Sequence, residues 1–320
     1  MPYSTYQDLN DAAMAHYQTG DFAQALALLD AEAGQFPASR READYLRSCL
    51  AVRVGDPARA YQLLDGFYAD GIWMDEALFR NSPSYASLQG QEEFEQRVRA
   101  HVALRGRTEP TGPARLHLLA PSAPQTPTPL IFHLHGNGSQ PALELPNWYF
   151  ATKQGWLVAA PLSENTFFQG GNAFWPDHAS AEKQLAAHLL TLKNEHTLDE
   201  TRIIFSGFSM GGDIAIAQAL KGDLIPARGF FAIAPGGPML EDPDSVRPLI
   251  EQTKGRVRGV ILASSADPAI NPEKIARVAQ LLNEGGHPCR LVFYSDEGHI
   301  YPDDFPKQLK SALTFILRNV

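Results

Sequence analysis

Basic residues are in deficit. The chain carries 27 Lys and Arg against 36 Asp and Glu, a formal net charge of −9. That balance excludes the usual nucleic-acid binder, whose footprint is a basic patch, and also a polybasic membrane anchor. No apolar run approaches the ~20 residues that a bilayer span needs, so no membrane span is expected. The opening residues, MPYSTYQDLNDAAMAHY, lack a basic start followed by an apolar block, so they do not read as a secretory signal. Cysteine is scarce: Cys49 and Cys289 are the only two. Nothing requires a disulfide between them, and two free thiols in a reducing cytoplasm are expected. His133 and His135 lie two apart on a strand-like run and share a face, but no third ligand accompanies them in a recognisable metal pattern. Neither a metal nor a cofactor is expected.

What is present begins with a repeat. GDFAQALALLD starts at Gly20 and GDPARAYQLLD at Gly55, an offset of 35 residues. Ala23 falls on Ala58, Ala25 on Ala60, Leu28 on Leu63 and Leu29 on Leu64. The period is close to the ~34 residues of a tetratricopeptide helix pair, so a small all-α, tetratricopeptide-like domain is expected over residues 1–104. A plain helical domain without true repeats is the simpler alternative. Gly106, Pro110, Gly112 and Pro113 mark a linker at 105–112. From 113 to 320 the text alternates short apolar runs with amphipathic stretches. Strands are expected near 115–119, 130–134, 156–160, 202–205, 229–233, 260–263 and 290–294. One helix is marked by Ala181, Leu185, Leu189 and Leu192, and others are expected over 272–283 and 304–317. This rhythm predicts an α/β domain with a mostly parallel sheet covered by helices on both faces. In such sheets chemistry gathers beyond the carboxyl ends of the strands.

One such end reads IIFSGFSMGGDIAIAQAL, residues 203–220. An apolar strand stops at Gly207-Phe208-Ser209-Met210-Gly211 and restarts as a helix. A turn this sharp strains its central residue and leaves no room for side chains two positions away, which explains Gly207 and Gly211. Its product is an exposed Ser209 hydroxyl at a helix N-terminus, although a glycine-rich turn that merely reverses the chain would read the same way. A serine needs a base, and the base an orienting carboxylate. Only His287 and His299 follow Ser209. His287 precedes the last strand and falls at the wrong end of the sheet; His299 follows that strand and is the candidate base. Asp267, just past the 260–263 strand, is the candidate acid, with Asp242 and Asp244 in reserve. An acyl-transfer site also needs oxyanion donors. The amide of Met210 is one, and the HLHGNGSQP loop supplies the other, from Asn137 or alternatively Gly138.

These phrases, HGNG, GFSMGG, SSADP and EGHIYPDDF in that order, resemble the α/β-hydrolase superfamily, in particular its compact carboxylesterase, thioesterase and dienelactone-hydrolase-like members. The resemblance covers about two-thirds of the chain. It implies a serine hydrolase that cleaves a small-molecule ester or thioester through Ser209, Asp267 and His299, without a cofactor, in the cytoplasm. A peptidase or amidase of the same superfamily is the near alternative, and a non-catalytic helical-repeat interaction protein the distant one. The sizeable insertion at the catalytic edge, Pro161 to His178, contains Phe167, Phe168, Phe174 and Trp175. These aromatics either wall a substrate pocket or pack the loop down. The helical domain is suited to a homodimer, a protein partner or shielding of the site. Aromatics in GIWMDEALFRNSPSYASL, residues 71–88, look exposed enough for an interface.

Overall fold

The computed structural model describes residues 3–108, 115–253, 257–267 and 269–318. Their contacts divide into two compact units: Met1–Gly112 with Thr166–Gly171, and Pro113–Asn165 with Asn172–Val320.

The first unit is helical. Its α-helices are α1 (Tyr6–Gln18), α2 (Phe22–Glu32), α3 (Arg40–Arg53), α4 (Pro57–Ala69), α5 (Glu76–Asn81) and α6 (Glu92–Thr108). The repeated Gly-Asp does the same job twice. Gly20 and Gly55 take φ of 79° and 86°, in the left-handed region. Asp21 and Asp56 then cap α2 and α4, accepting the amides of Gln24 and Arg59. Burial repeats as well. Ala25, Ala60, Leu29 and Leu64 are all fully buried, whereas Ala23 and Ala58 face outward. Only the second alanine of each copy therefore provides close packing. The 71–88 aromatics are not exposed: Trp73, Phe79 and Tyr85 are fully buried, with Phe79 stacked on Tyr85. The expected linker begins later than 105, because α6 continues through Thr108; its residues 109–112, and 113–114 after them, lie outside the described residues.

The second unit is built on a seven-stranded sheet: β1 (Leu116–Leu119), β2 (Thr128–Leu134), β3 (Leu157–Pro161), β4 (Leu198–Phe208), β5 (Gly229–Ile233), β6 (Arg258–Ala266) and β7 (Cys289–Glu297). Their order is β1-β3-β2-β4-β5-β6-β7. β1 runs antiparallel to β3, and every other neighbouring pair is parallel. The helices are α7 (Pro141–Glu144), α8 (Tyr149–Lys153), α9 (His178–Glu195), α10 (Met210–Lys221), α11 (Pro238–Glu241), α12 (Arg247–Gln252), α13 (Pro272–Glu284) and α14 (Phe305–Ile316). The strands are apolar on both faces because helices cover both. Ile203, Phe205 and Phe230 join a core with α9, α10 and α13. Their neighbours Ile204 and Phe231 join another with Trp148 and α14. This alternation is the period of two that a pleated strand imposes. The thiols Cys49 and Cys289 are buried and unpaired, and burial pushes Cys289 up to about 12. Among the described residues no helix is long and apolar enough to cross a membrane, and no group of three or more His, Cys, Asp or Glu could hold a metal ion.

Candidate active site

β2, β4, β6 and β7 all end on the same rim, and each delivers one part of the candidate site. β4 stops at Phe208, and α10 starts at Met210. Ser209 between them has φ 52° and ψ −123°, a conformation costly to a residue with a Cβ. Strain of this kind, about 1–3 kcal/mol, survives only where the surroundings over-determine it. Here four backbone hydrogen bonds converge on one residue. The Ser209 amide donates to the Ile233 carbonyl at 3.0 Å, and its own carbonyl accepts from Gly212 (2.8 Å), Asp213 (3.2 Å) and Gly236 (3.1 Å). The flanking glycines are steric necessities. A Cβ on Gly207 would strike the Gly211 carbonyl, and one on Gly211 would strike that of Leu134.

β6 and β7 bring the acid and the imidazole together. Asp267 follows β6, and its buried carboxylate lies 2.6 Å from Nδ1 of His299, which follows β7. The other carboxylate oxygen accepts the Ala269 amide at 2.8 Å, which fixes the rotation of the group. The His299 ring lies on Phe208, centroid to centroid 4.7 Å, one residue from Ser209. Among the described residues no hydrogen bond joins Ser209 Oγ to the ring. Asp244, a reserve acid, is paired instead with Arg247 and Arg277, and His287 accepts the Val257 amide near the start of β6.

The loop after β2 reaches the serine from the other side. A Cβ on Gly136 would stand 3.2 Å from Ser209 Cβ and 3.0 Å from the Phe208 ring, so a side chain there would press on both. Of the three candidate oxyanion amides, that of Gly138 already donates to the Ala173 carbonyl at 2.9 Å. The amides of Asn137 and Met210 make no hydrogen bond among the described residues. The Gly138 alternative thus has its donor occupied, while the other two N–H groups remain open.

His135 and His133 are framework. Nδ1 of His135 lies 2.8 Å from the Gly136 carbonyl and so carries the proton; Nε2 accepts the Ser163 amide at 3.1 Å. Burial pushes this imidazole down to about 4, which keeps it neutral with both nitrogens in use. His133 Nε2 meets Glu144 Oε2 at 2.8 Å. Burial pushes the Glu144 carboxyl up, but its hydrogen bonds, led by that of His133 and joined by that of the Gly136 amide, outweigh it and bring it below the usual glutamate value.

The insertion aromatics part company. Phe167 and Phe168 belong to the helical unit, where their rings meet Tyr45 and Phe67 at 6.5 and 6.0 Å. The Phe168 segment pairs with Met74 through an antiparallel bridge. Phe174 and Trp175 belong to the sheet unit and are buried. Trp175 stacks on His135, and its Nε1 donates to the His135 carbonyl at 2.8 Å. Its amide donates to the Asn137 side chain, also at 2.8 Å. Trp175 thus ties the insertion to the loop after β2. The sequence reading missed Glu144 and Tyr301. The available signals were the one carboxylate in the largely apolar PALELPNW and a tyrosine two residues past the histidine. It also missed Asp213, fully buried in the first turn of α10, which accepts the Met239 amide at 3.0 Å and so holds the loop beyond β5.

A mostly parallel sheet with a strained serine between strand and helix is the arrangement of the α/β-hydrolase fold. The comparisons agree. The chain belongs to the Dienelactone hydrolase family, whose sequence profile matches residues 152–311. A bifunctional acetylxylan esterase/xylanase from Neocallimastix patriciarum is 29% identical over 101 residues, which cover 30% of this chain and 14% of that protein's length. The fold is shared with an uncharacterized protein from Bacillus cereus, at TM-score 0.53, 20% identity and 98% coverage of both chains. It is also shared with the esterase PE8, at TM-score 0.52 and 18% identity, over 62% of this chain and 96% of that one.

Proposed function

We propose that the protein is a serine hydrolase of small carboxylic esters or thioesters working through an acyl-enzyme. One observation carries this reading: the buried Asp267 grips Nδ1 of His299 at 2.6 Å on the rim where Ser209 is held in a strained turn. Bonded in this way, Nδ1 carries the proton and Nε2 keeps a lone pair to act as base. Ser209 Oγ adds to the ester carbonyl carbon as its proton passes to His299 Nε2. The carbonyl electron pair becomes an oxyanion, received by the open amides of Met210 and Asn137. The pair then returns, the C–O or C–S bond breaks, and His299 hands its proton to the departing alcohol or thiol. A water molecule next gives a proton to His299 and its oxygen to the acyl carbon. Collapse of that intermediate frees the acid and returns the proton to Ser209. The Ser209–His299 hydrogen bond forms when substrate is seated, as such bonds often tighten only in the reacting complex. The helical unit, with caps and burial repeating at the period of the sequence repeat, is read as tetratricopeptide-like and as a site for a protein partner or a second copy. Two buried free thiols suit a reducing, cytoplasmic setting.

The test is turnover. The purified protein should hydrolyse p-nitrophenyl acetate with a burst of about one equivalent, and leave aminoacyl p-nitroanilides uncut. Absence of turnover on every ester would overturn the proposal, and faster cleavage of the anilides would make it a peptidase. Trp175→Ala should lower stability by about 3–5 kcal/mol, as expected for a buried indole. Its losses of activity should be alike on acetate and on long-chain esters, because the ring supports the loop. Thermal unfolding and an acyl-length panel measure both. A loss confined to long chains would place the ring against substrate instead.

A further inference from the structure

Glu144 is buried and takes no part in the chemistry above, yet it is the most heavily used carboxylate near the site. Its Oε1 accepts the Gly136 amide at 2.9 Å. Its Oε2 accepts His133 Nε2–H at 2.8 Å and the Tyr301 hydroxyl at 3.1 Å. Those donors come from separate parts of the chain. Gly136 precedes Asn137, whose amide faces the oxyanion in the proposed reaction. Tyr301 is two residues past His299, and its ring stacks on Phe208 at 5.0 Å, on the residue before Ser209. His133 anchors the group to β2. A second tie, from the Tyr294 hydroxyl to the Ile300 carbonyl at 2.6 Å, secures the same histidine loop from β7.

We propose that Glu144 is a positioning residue that sets the oxyanion loop and the histidine loop against each other through one carboxylate. Both loops must be placed to within a fraction of an ångström for addition at the ester carbonyl, and neither is itself a strand or a helix. An ionised carboxylate accepts several hydrogen bonds at fixed angles and is a stronger acceptor than a neutral oxygen. This inference rests on the assignment of Ser209, His299 and Asn137 made above.

Glu144→Gln and Tyr301→Phe test it, alone and together. Glu144→Gln keeps the shape and leaves one oxygen for the Gly136 amide, but offers an N–H where Tyr301 and His133 need an acceptor. For p-nitrophenyl acetate, corrected for folded protein by circular dichroism, kcat should fall on the order of 10- to 100-fold with KM little changed. That is less than the roughly 100- to 1000-fold cost of losing an oxyanion donor outright. The double variant should fall no further than Glu144→Gln, because the two residues act as one unit. Hydrogen exchange should quicken in both the 134–139 and 298–303 segments of folded Glu144→Gln. Unchanged kcat, additive losses, or exchange that quickens in one segment alone would each overturn the proposal. The exchange measurement does not depend on activity. A wild type without esterase activity therefore condemns the assignment of Ser209, while the exchange still decides whether Glu144 ties the loops.

Discussion

Ser209→Ala is expected to abolish labelling by a fluorophosphonate and to cut ester hydrolysis by on the order of 10⁵-fold or more. The size of the loss follows from the proposed reaction, in which the hydroxyl forms the acyl-enzyme and without it only the oxyanion amides and substrate binding remain. The fold should survive. The four hydrogen bonds at residue 209 all use backbone atoms, so alanine keeps them. Alanine bears the same Cβ as serine, so the strain of φ 52° is unchanged. A melting temperature within a few degrees of wild type, together with lost labelling, is the expected pair of results. Labelling that persists in the variant would show that another nucleophile does the work.

Asp267→Asn should lose on the order of 10³- to 10⁴-fold in kcat/KM with little loss of stability. The reason lies in the second bond of that carboxylate. One oxygen faces the Ala269 amide, a donor that only an oxygen can satisfy. The carboxamide of asparagine therefore keeps its oxygen there and turns its NH₂ toward Nδ1 of His299. The ring must then carry its proton on Nε2, the nitrogen that receives the Ser209 proton in the proposed reaction. The site keeps its shape and loses its base. Rates for p-nitrophenyl acetate alongside thermal unfolding measure this. Activity within ten-fold of wild type would remove Asp267 from the role.

The sheet was legible because each strand contains a short, continuous apolar run, and the register of those runs is local information. The strand ends were less so. β4 begins at Leu198, ahead of its apolar core, because Leu198 pairs with Thr128 while the polar Asp199, Glu200 and Thr201 fall in an irregularity of the ladder before pairing resumes at Ile203. The serine turn was legible because its glycines lie within two residues of Ser209, and the exclusions that force them are equally local. The meeting of Asp267 with His299 follows from both lying just past adjacent parallel strands. Glu144 was not legible. Its three partners, Gly136, His133 and Tyr301, come from two sequence regions far apart, and nothing periodic marks them. The burial of Trp73, Phe79 and Tyr85 was hidden for a related reason. Residues 71–88 fold as a short helix and a 3₁₀ turn, too irregular for a stripe to separate inside from outside.

The hexapeptide Thr166–Gly171 has a consequence for how such a protein can be dissected or recombined. The chain leaves the sheet unit, lends six residues to the helical one and comes back. Trimming away the first hundred residues would strip Phe167 and Phe168 of the side chains that cover them and leave two bare phenyl rings in water. A transplant of the helical module onto another hydrolase would fail for the mirror reason, arriving without the buried Phe168 ring that packs on Phe67. The module is not a detachable bead. In this chain it travels whole only when an internal fragment, encoded well downstream, travels with it.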